Sequence, residues 1–325
     1  MNNSTNWFLG AGLIFFLTGL LFWLDARRKN GTPLAPLIPL PLPATVPKGH
    51  HFDYAIHSDY LIHWTGGVDI DAPHDSKWAE SDKSKTDPKV TQMYLERVLN
   101  TLKYGIWMTE EDPMTFSFGG ERVQIPPTPR ACFTELKVSE SRKHARRYGR
   151  LGIGVKRPFL LTRFGRPLIY YGFHKDIQND IFLKACATHI PDKKLINFFK
   201  PMNSTTILNY DFYSESEWRI VFVDQLLKQK LIIDPRDPAN AKEHAFFKSL
   251  TLAQQNRLKY LIPLDGWLGL IIYPSLAVKN AAQQDKSNGI LDEIVRIKSD
   301  RRDHANRVED GSWPIEVNLD ACRNF

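Results

Sequence analysis

Glu215 and Glu217 stand one residue apart in DFYSESEWRIVFV, residues 211–223, with Arg219 close behind. Two carboxylates held close together push one pKa upward, which suits a general base, while an ionised one stabilises positive charge. Trp218, Ile220 and Phe222 alternate with Glu217, Arg219 and Val221, the period of a half-buried strand. Successive strand side chains point to opposite faces. The spacing therefore predicts Glu215, Glu217 and Arg219 on one face and the apolar set on the other. The plain alternative is an exposed Glu–Arg pair, contributing about 0–1 kcal/mol.

Two other stretches put reactive types at the ends of elements. YLIHWTG, residues 60–66, is a strand that ends in His63 and then reaches Thr65 and Gly66. CFTEL, residues 132–136, leads into SESRKHARRYG, residues 139–149, a helix carrying His144 and Tyr148. His50, His51, His57 and His74 lie near Asp53, Asp59, Asp69 and Asp71, but no pair has the spacing of metal ligands, so no metal is expected. There is no Walker motif, no GxGxxG, no GxSxG elbow and no Cys–His pairing in the sequence.

The elements that must hold these residues read as one mixed α/β domain over residues 50–325. Tyr54–Trp64 is strand-like. Lys89–Tyr104 has Val90, Met93, Tyr94, Val98 and Leu102 near helical spacing and stops at Gly105. Strands are expected at Ala131–Leu136, Gly152–Val155, Pro167–Tyr171, the stretch after Glu217, Leu268–Tyr273 and, alternating like an edge, Pro314–Leu319. Helices are expected at Ser139–Tyr148, Gln178–Thr188, Pro191–Phe199, around His244–Leu250 and at Leu291–Lys298, with a turn at Asp234–Pro238. Ser139 is a candidate N-cap of its helix. The chain has 325 residues, 42% hydrophobic and 12% aromatic, enough for a sizeable core and unlike a disordered composition.

Ahead of that domain, residues 1–6 form a short tail, and residues 7–24, WFLGAGLIFFLTGLLFWL, carry no charge. That is roughly the length a helix needs to cross a bilayer. Trp7 and Trp23 sit near its ends and DARRK follows at once. Basic residues after the apolar run, not before it, predict an uncleaved anchor with the rest of the chain on the cytoplasmic side. Residues 25–49 are then a basic flank and a spacer, with six prolines in residues 31–48, a polyproline-like composition. Three well-separated cysteines, Cys132, Cys186 and Cys322, form no disulfide framework and fit a reducing compartment. The expected location is the bacterial inner membrane, single-pass, with the C-terminal domain in the cytoplasm.

Taken together, HWTG, CFTEL, HARRYG with LGIGV, GRPLIYY, ESEWRI, LIIYPS and ACRNF resemble, in order over residues 57–325, the bacterial abortive-infection AbiGi family of phage-resistance proteins. The order of the three reactive stretches also resembles an ADP-ribosyltransferase fold, in which a first strand ends in a His-Gly-Thr type motif and a late strand supplies a catalytic glutamate. That resemblance implies NAD as substrate and an ADP-ribosyltransferase-like mixed sheet. It implies Glu217 at the ribose, where cleavage of the bond to nicotinamide develops an oxocarbenium-like cation, and Glu215 at the acceptor. It further implies His63 on the ribose, Thr65 and Gly66 at the nicotinamide amide, Phe133 as the aromatic strand residue, Tyr148 stacked on the ring, and Arg146, Arg147 or Arg150 on the pyrophosphate.

Net charge is +7, and Lys137–Arg166 alone holds ten Lys or Arg against one acid, Glu140. Residues 142–166 have three readings: a solvated face, a nucleic-acid surface with phosphates met by Arg142, Lys143, Arg146 and Arg147, or a face against anionic lipid. Aromatics are not interleaved at stacking spacing. The expectation is a membrane-anchored phage-defence protein transferring ADP-ribose from NAD or hydrolysing NAD. The alternative is a non-catalytic antitoxin or sensor that binds a cognate toxin, a phage protein or nucleic acid.

Overall fold

The computed structural model describes residues 58–66, 87–110, 114–118, 121–171, 190, 192–202, 212–284, 288–299 and 313–323; all belong to one unit, Ala55–Phe325. The expected anchor and spacer, His50, His51, His57 and His74, Cys186 and the helix at 178–188 lie outside the described residues. No helix among the described residues is long and apolar enough to cross a membrane.

In chain order the elements are β1 (Tyr60–Thr65), α1 (Pro88–Tyr104), β2 (Ile106–Thr109), β3 (Met114–Phe118), β4 (Glu121–Ile125), β5 (Ala131–Thr134), α2 (Ser141–Tyr148), β6 (Leu151–Lys156), α3 (Arg157–Leu161), β7 (Arg166–Pro167), β8 (Ile169–Tyr171), β9 (Phe199–Pro201) and β10 (Glu217–Ile220). There follow α4 (Val223–Lys228), α5 (Ala241–Lys248), α6 (Leu252–Arg257), β11 (Leu258–Ile262), β12 (Leu268–Tyr273), α7 (Leu276–Gln284), α8 (Ile290–Ser299) and β13 (Ile315–Asn318). Seven strands make the main sheet in the order β13-β12-β6-β1-β5-β10-β7. β13 runs parallel to β12 and the other pairings are antiparallel, so the sheet is mixed. Three two-stranded ladders, β11-β2, β3-β4 and β8-β9, stand beside it.

α1 forms where its apolar period predicts. Asp87 caps it by accepting from the Lys89 amide at 2.9 Å, Pro88 opens it, and Val90, Tyr94, Val98 and Leu102 are buried on one face. Each such side chain contributes about 1.5–3 kcal/mol on burial. Gly105 ends the helix with φ +107°, and a Cβ there would lie 2.2 Å from the Ile262 carbonyl oxygen. Only glycine fits both the dihedral and the approach.

The sheet has two covered faces. Leu61, Phe133, Leu151, Ile153, Trp218 and Ile220 point to the larger core, shared with α1, α7 and α8. Ile62 and Trp64 point the other way, toward Ala145 on α2 and Leu319 and Cys322 at the C-terminus. β6 carries Gly152 and Gly154 on that second face, where a Cβ would press on Ile62, Trp64 and Leu270. The register then fixes everything else: Ile62 faces Thr134, and Thr134 faces Glu217. Glu217 and Arg219 therefore emerge on the α2 side of the sheet.

Two local expectations shift. α2 begins at Ser141, preceded by a 3-10 turn at Val138–Glu140, with Glu140 in the cap position and no capping side chain, so Ser139 does not cap it. Residues Lys193–Phe198 form a 3-10 turn capped by Asp192 in place of an α-helix.

Candidate functional site: a buried carboxylate–lysine cluster

β10 begins only at Glu217, because pairing with β5 covers Glu217–Ile220 against Ala131–Thr134. Glu215 comes from the 3-10 turn before it, Tyr213–Glu215, and Ser216 between the two acids takes a left-handed φ of +44°. The two glutamates still converge, by a turn and not by strand alternation. Both are buried.

Lys200, on β9, sits between them. Its Nζ lies 2.5 Å from Glu215 Oε2 and 2.5 Å from Glu217 Oε2. Arg219 Nε reaches Glu217 Oε1 at 2.6 Å. The Tyr148 hydroxyl donates to Glu215 Oε1 at 2.5 Å. Tyr170 on β8, paired with Lys200 across the small ladder, accepts the Glu217 amide at 2.8 Å. Beyond Arg219 the chain of polar contacts runs on: Arg219 donates to the Asn197 carbonyl, and Arg130 Nη1 donates to Asn197 Oδ1 at 3.2 Å. Phe212 lies under two cations, Lys200 Nζ at 4.4 Å and Arg147 at 5.1 Å from its ring centroid, and Arg147 also lies 5.4 Å from the Tyr148 ring.

The electrostatics follow from burial and charge placement. Burial is the largest single influence on Glu217 and opposes its ionisation, but Arg219 and Lys200 outweigh it and hold the carboxyl well below the usual range. Arg219 is raised in turn: burial again opposes the charge and Glu217 overcomes it. Arg130 is lowered to about 10 by burial and then by neighbouring Arg219. Burial also pushes the Cys132 thiol up to about 11, with Glu217 adding to the effect, so this cysteine is a thiol and not a nucleophilic thiolate at neutral pH.

The structure brings Tyr148, Glu215, Glu217 and Arg147 together on one face. It does not bring His63 to them. His63 pairs across β6 with Ile153, a residue of the larger core, so it points to the opposite face from Glu217. Its Nδ1 lies 2.9 Å from the Cys132 carbonyl oxygen, its ring stands 5.6 Å from Phe133, and burial lowers its pKa. Phe133 packs in that same core against Phe159. Thr65 Oγ1 accepts from Arg97 at 3.3 Å, and the Gly66 carbonyl accepts from Tyr94 at 3.1 Å. Arg150 is buried and donates to the Pro274 carbonyl at 3.0 Å.

Two members of the cluster carried no role in the sequence reading. Lys200 follows Phe198-Phe199 and arrives through a three-residue parallel ladder that no local pattern marks. His144 lies one turn before Tyr148 on α2, their rings 5.9 Å apart, and is buried with both ring nitrogens lacking hydrogen-bond partners. The i, i+4 spacing was its available signal.

The basic run is not one solvated face. Arg163 is buried and pairs with Asp265 at 2.9 Å over the Phe159 ring. Arg157 pairs with Glu135, Arg142 Nη1 lies 3.9 Å from Asp320 and 3.4 Å from the Leu319 carbonyl oxygen, and Arg166 bonds the Gly165 carbonyl. Among the described residues no group of three or more His, Cys, Asp or Glu is arranged to hold a metal. No family model matches the chain, and neither a curated protein nor a solved structure matches it.

Proposed function

We infer that the chain is an NAD-consuming enzyme of the abortive-infection class, held at the membrane through residues 7–24. In this reading it breaks the nicotinamide–ribose bond beside Glu217 and passes ADP-ribose to a macromolecule or to water. One observation carries it: two carboxylates, Glu215 and Glu217, meet within hydrogen-bonding distance of one lysine, Lys200, and an aromatic hydroxyl, Tyr148, donates to the first of them. A carboxylate kept ionised in a buried setting stabilises an oxocarbenium-like cation more strongly than one in water does. Tyr148 offers a ring to the nicotinamide, and Arg147 beside it offers a charge to the pyrophosphate. The mixed sheet with helices on both faces supports an ADP-ribosyltransferase-like fold. Lys200 occupies both carboxylates in the resting protein, so it shifts or shares them as the cationic pyridinium enters.

A second reading is a non-catalytic antitoxin or sensor. It is favoured by His63 pointing to the face opposite Glu217 and by the Glu217 oxygens being taken by Arg219 and Lys200.

The full chain in detergent, incubated with labelled NAD and cell lysate, separates the two. Nicotinamide release that disappears in Glu217→Ala, in a variant that still melts cooperatively, is expected. No release by wild type, with or without lysate from phage-infected cells, overturns the enzyme reading in favour of the binding module.

A further inference from the structure

We propose that His144 is the group that takes the proton from the attacking hydroxyl. This rests on the NAD-consuming reading and moves the base role away from Glu215. Glu215 is poorly suited to it, because one oxygen already accepts from Tyr148 and the other from Lys200. His144 is suited by position. It is only 4% exposed, and neither Nδ1 nor Nε2 has a hydrogen-bond partner. A buried imidazole without a partner is costly, and a neutral ring wants one acceptor and one donor at its two nitrogens. A hydroxyl supplies both functions. Ser141 and Ala145 share the inner face of α2 with it and are buried, and the Ser141 hydroxyl likewise lacks a partner. The charged groups that act on the ring are Glu215, Lys200, Arg147 and Glu217, and Tyr148 stands beside it. Burial keeps the ring neutral, at a pKa of about 4, and Glu215 is the largest influence favouring its protonated form.

The step balances without a further reagent. The bond from ribose C1′ to the pyridinium nitrogen breaks, and its electron pair stays on nicotinamide, which leaves neutral. The hydroxyl oxygen of water or of an acceptor bonds to C1′. Its proton passes to the free nitrogen of His144 and from there to solvent, with Glu215 stabilising the imidazolium meanwhile.

The test measures nicotinamide release from labelled NAD by the full chain, comparing wild type, His144→Ala, His144→Gln and His63→Ala, with and without added imidazole. His144→Ala is expected to lose about 100-fold in rate, to regain part of it from imidazole that fills the vacated space, and to bind ADP-ribose as wild type does. His144→Gln, which keeps the volume and polarity but takes no proton, is expected to be slow and not rescued. His63→Ala is expected to be unaffected in rate. Wild-type rates in either His144 variant overturn the proposal, as does a loss in His144→Ala that imidazole does not restore in a normally melting protein. If Glu217→Ala is inactive while His144→Ala is active, this inference alone falls. If wild type releases no nicotinamide, it falls together with the enzyme reading.

Discussion

The Tyr148 hydroxyl donates to Glu215 at 2.5 Å across 67 residues of sequence. That bond ties the last residue of α2 to the turn before β10. It gives the second face of the sheet a polar centre in place of the apolar packing, aromatic and aliphatic, that fills the first.

Lys200 is the cation that links that centre, since it touches both glutamates. Lys200→Met removes it and leaves Glu217 with Arg219 as its cation and Glu215 buried with the Tyr148 hydroxyl. Breaking a buried pair by deleting one partner costs about 3–5 kcal/mol. The expected outcome is an unfolding free energy lowered by that amount, read as a lower midpoint in urea. Lys200→Arg should recover part of it, because the charge is kept. A midpoint equal to wild type for Lys200→Met would mean that the pairs contribute nothing to stability.

Two titrations in the cluster act in different pH windows. His144 is neutral in the folded protein down to about pH 4 and binds a proton near pH 6.5 when unfolded. The unfolded state then holds more protons between those values, so stability falls as pH drops from about 6.5 to about 4. The full effect is on the order of 3 kcal/mol. Glu217 has a depressed folded pKa. Its contribution is complete above the ordinary glutamate value of 4.5 and is lost as pH falls from there toward the lowered one. Denaturant melts of His144→Gln should show a flatter curve between about pH 6.5 and 4, and those of Glu217→Gln a flatter curve below 4.5. Identical slopes in wild type and variants would refute both assignments.

Gly105 sits where α1 must stop and let the chain turn into β2 beside β11. With φ at +107° and the Ile262 carbonyl oxygen 2.2 Å from a would-be Cβ, Gly105→Ala meets both a dihedral penalty and a backbone clash. A loss of about 2 kcal/mol or more is expected. Gly289, with φ +72° and only the tip of Leu99 within reach at 3.7 Å, serves as the comparison. Its alanine variant should lose less, as read by the same melts.

Much of this protein is legible in its sequence because the signals are local. The 3.6-residue period of Lys89–Tyr104, the apolar run at Leu268–Tyr273, the alternation at Pro314–Leu319 and the period after Glu217 each name an element, and the structure forms it within a few residues. Even the meeting of Glu215 and Glu217 is expected, although a left-handed Ser216 achieves it in place of a longer strand. Other features are decided only in three dimensions. Strand alternation says that His63 and Trp64 point apart. The pairing of Ile62 with Thr134 and of Thr134 with Glu217 decides that His63 is the one turned away from the carboxylates, and a one-residue slip would have reversed it. Lys200 reaches the glutamates, Arg163 turns inward to Asp265, and the part-exposed Arg157 reaches in to the buried Glu135, because buried charges require partners wherever the chain can supply them. Charge composition could count those arginines; only tertiary packing could say which of them face the interior.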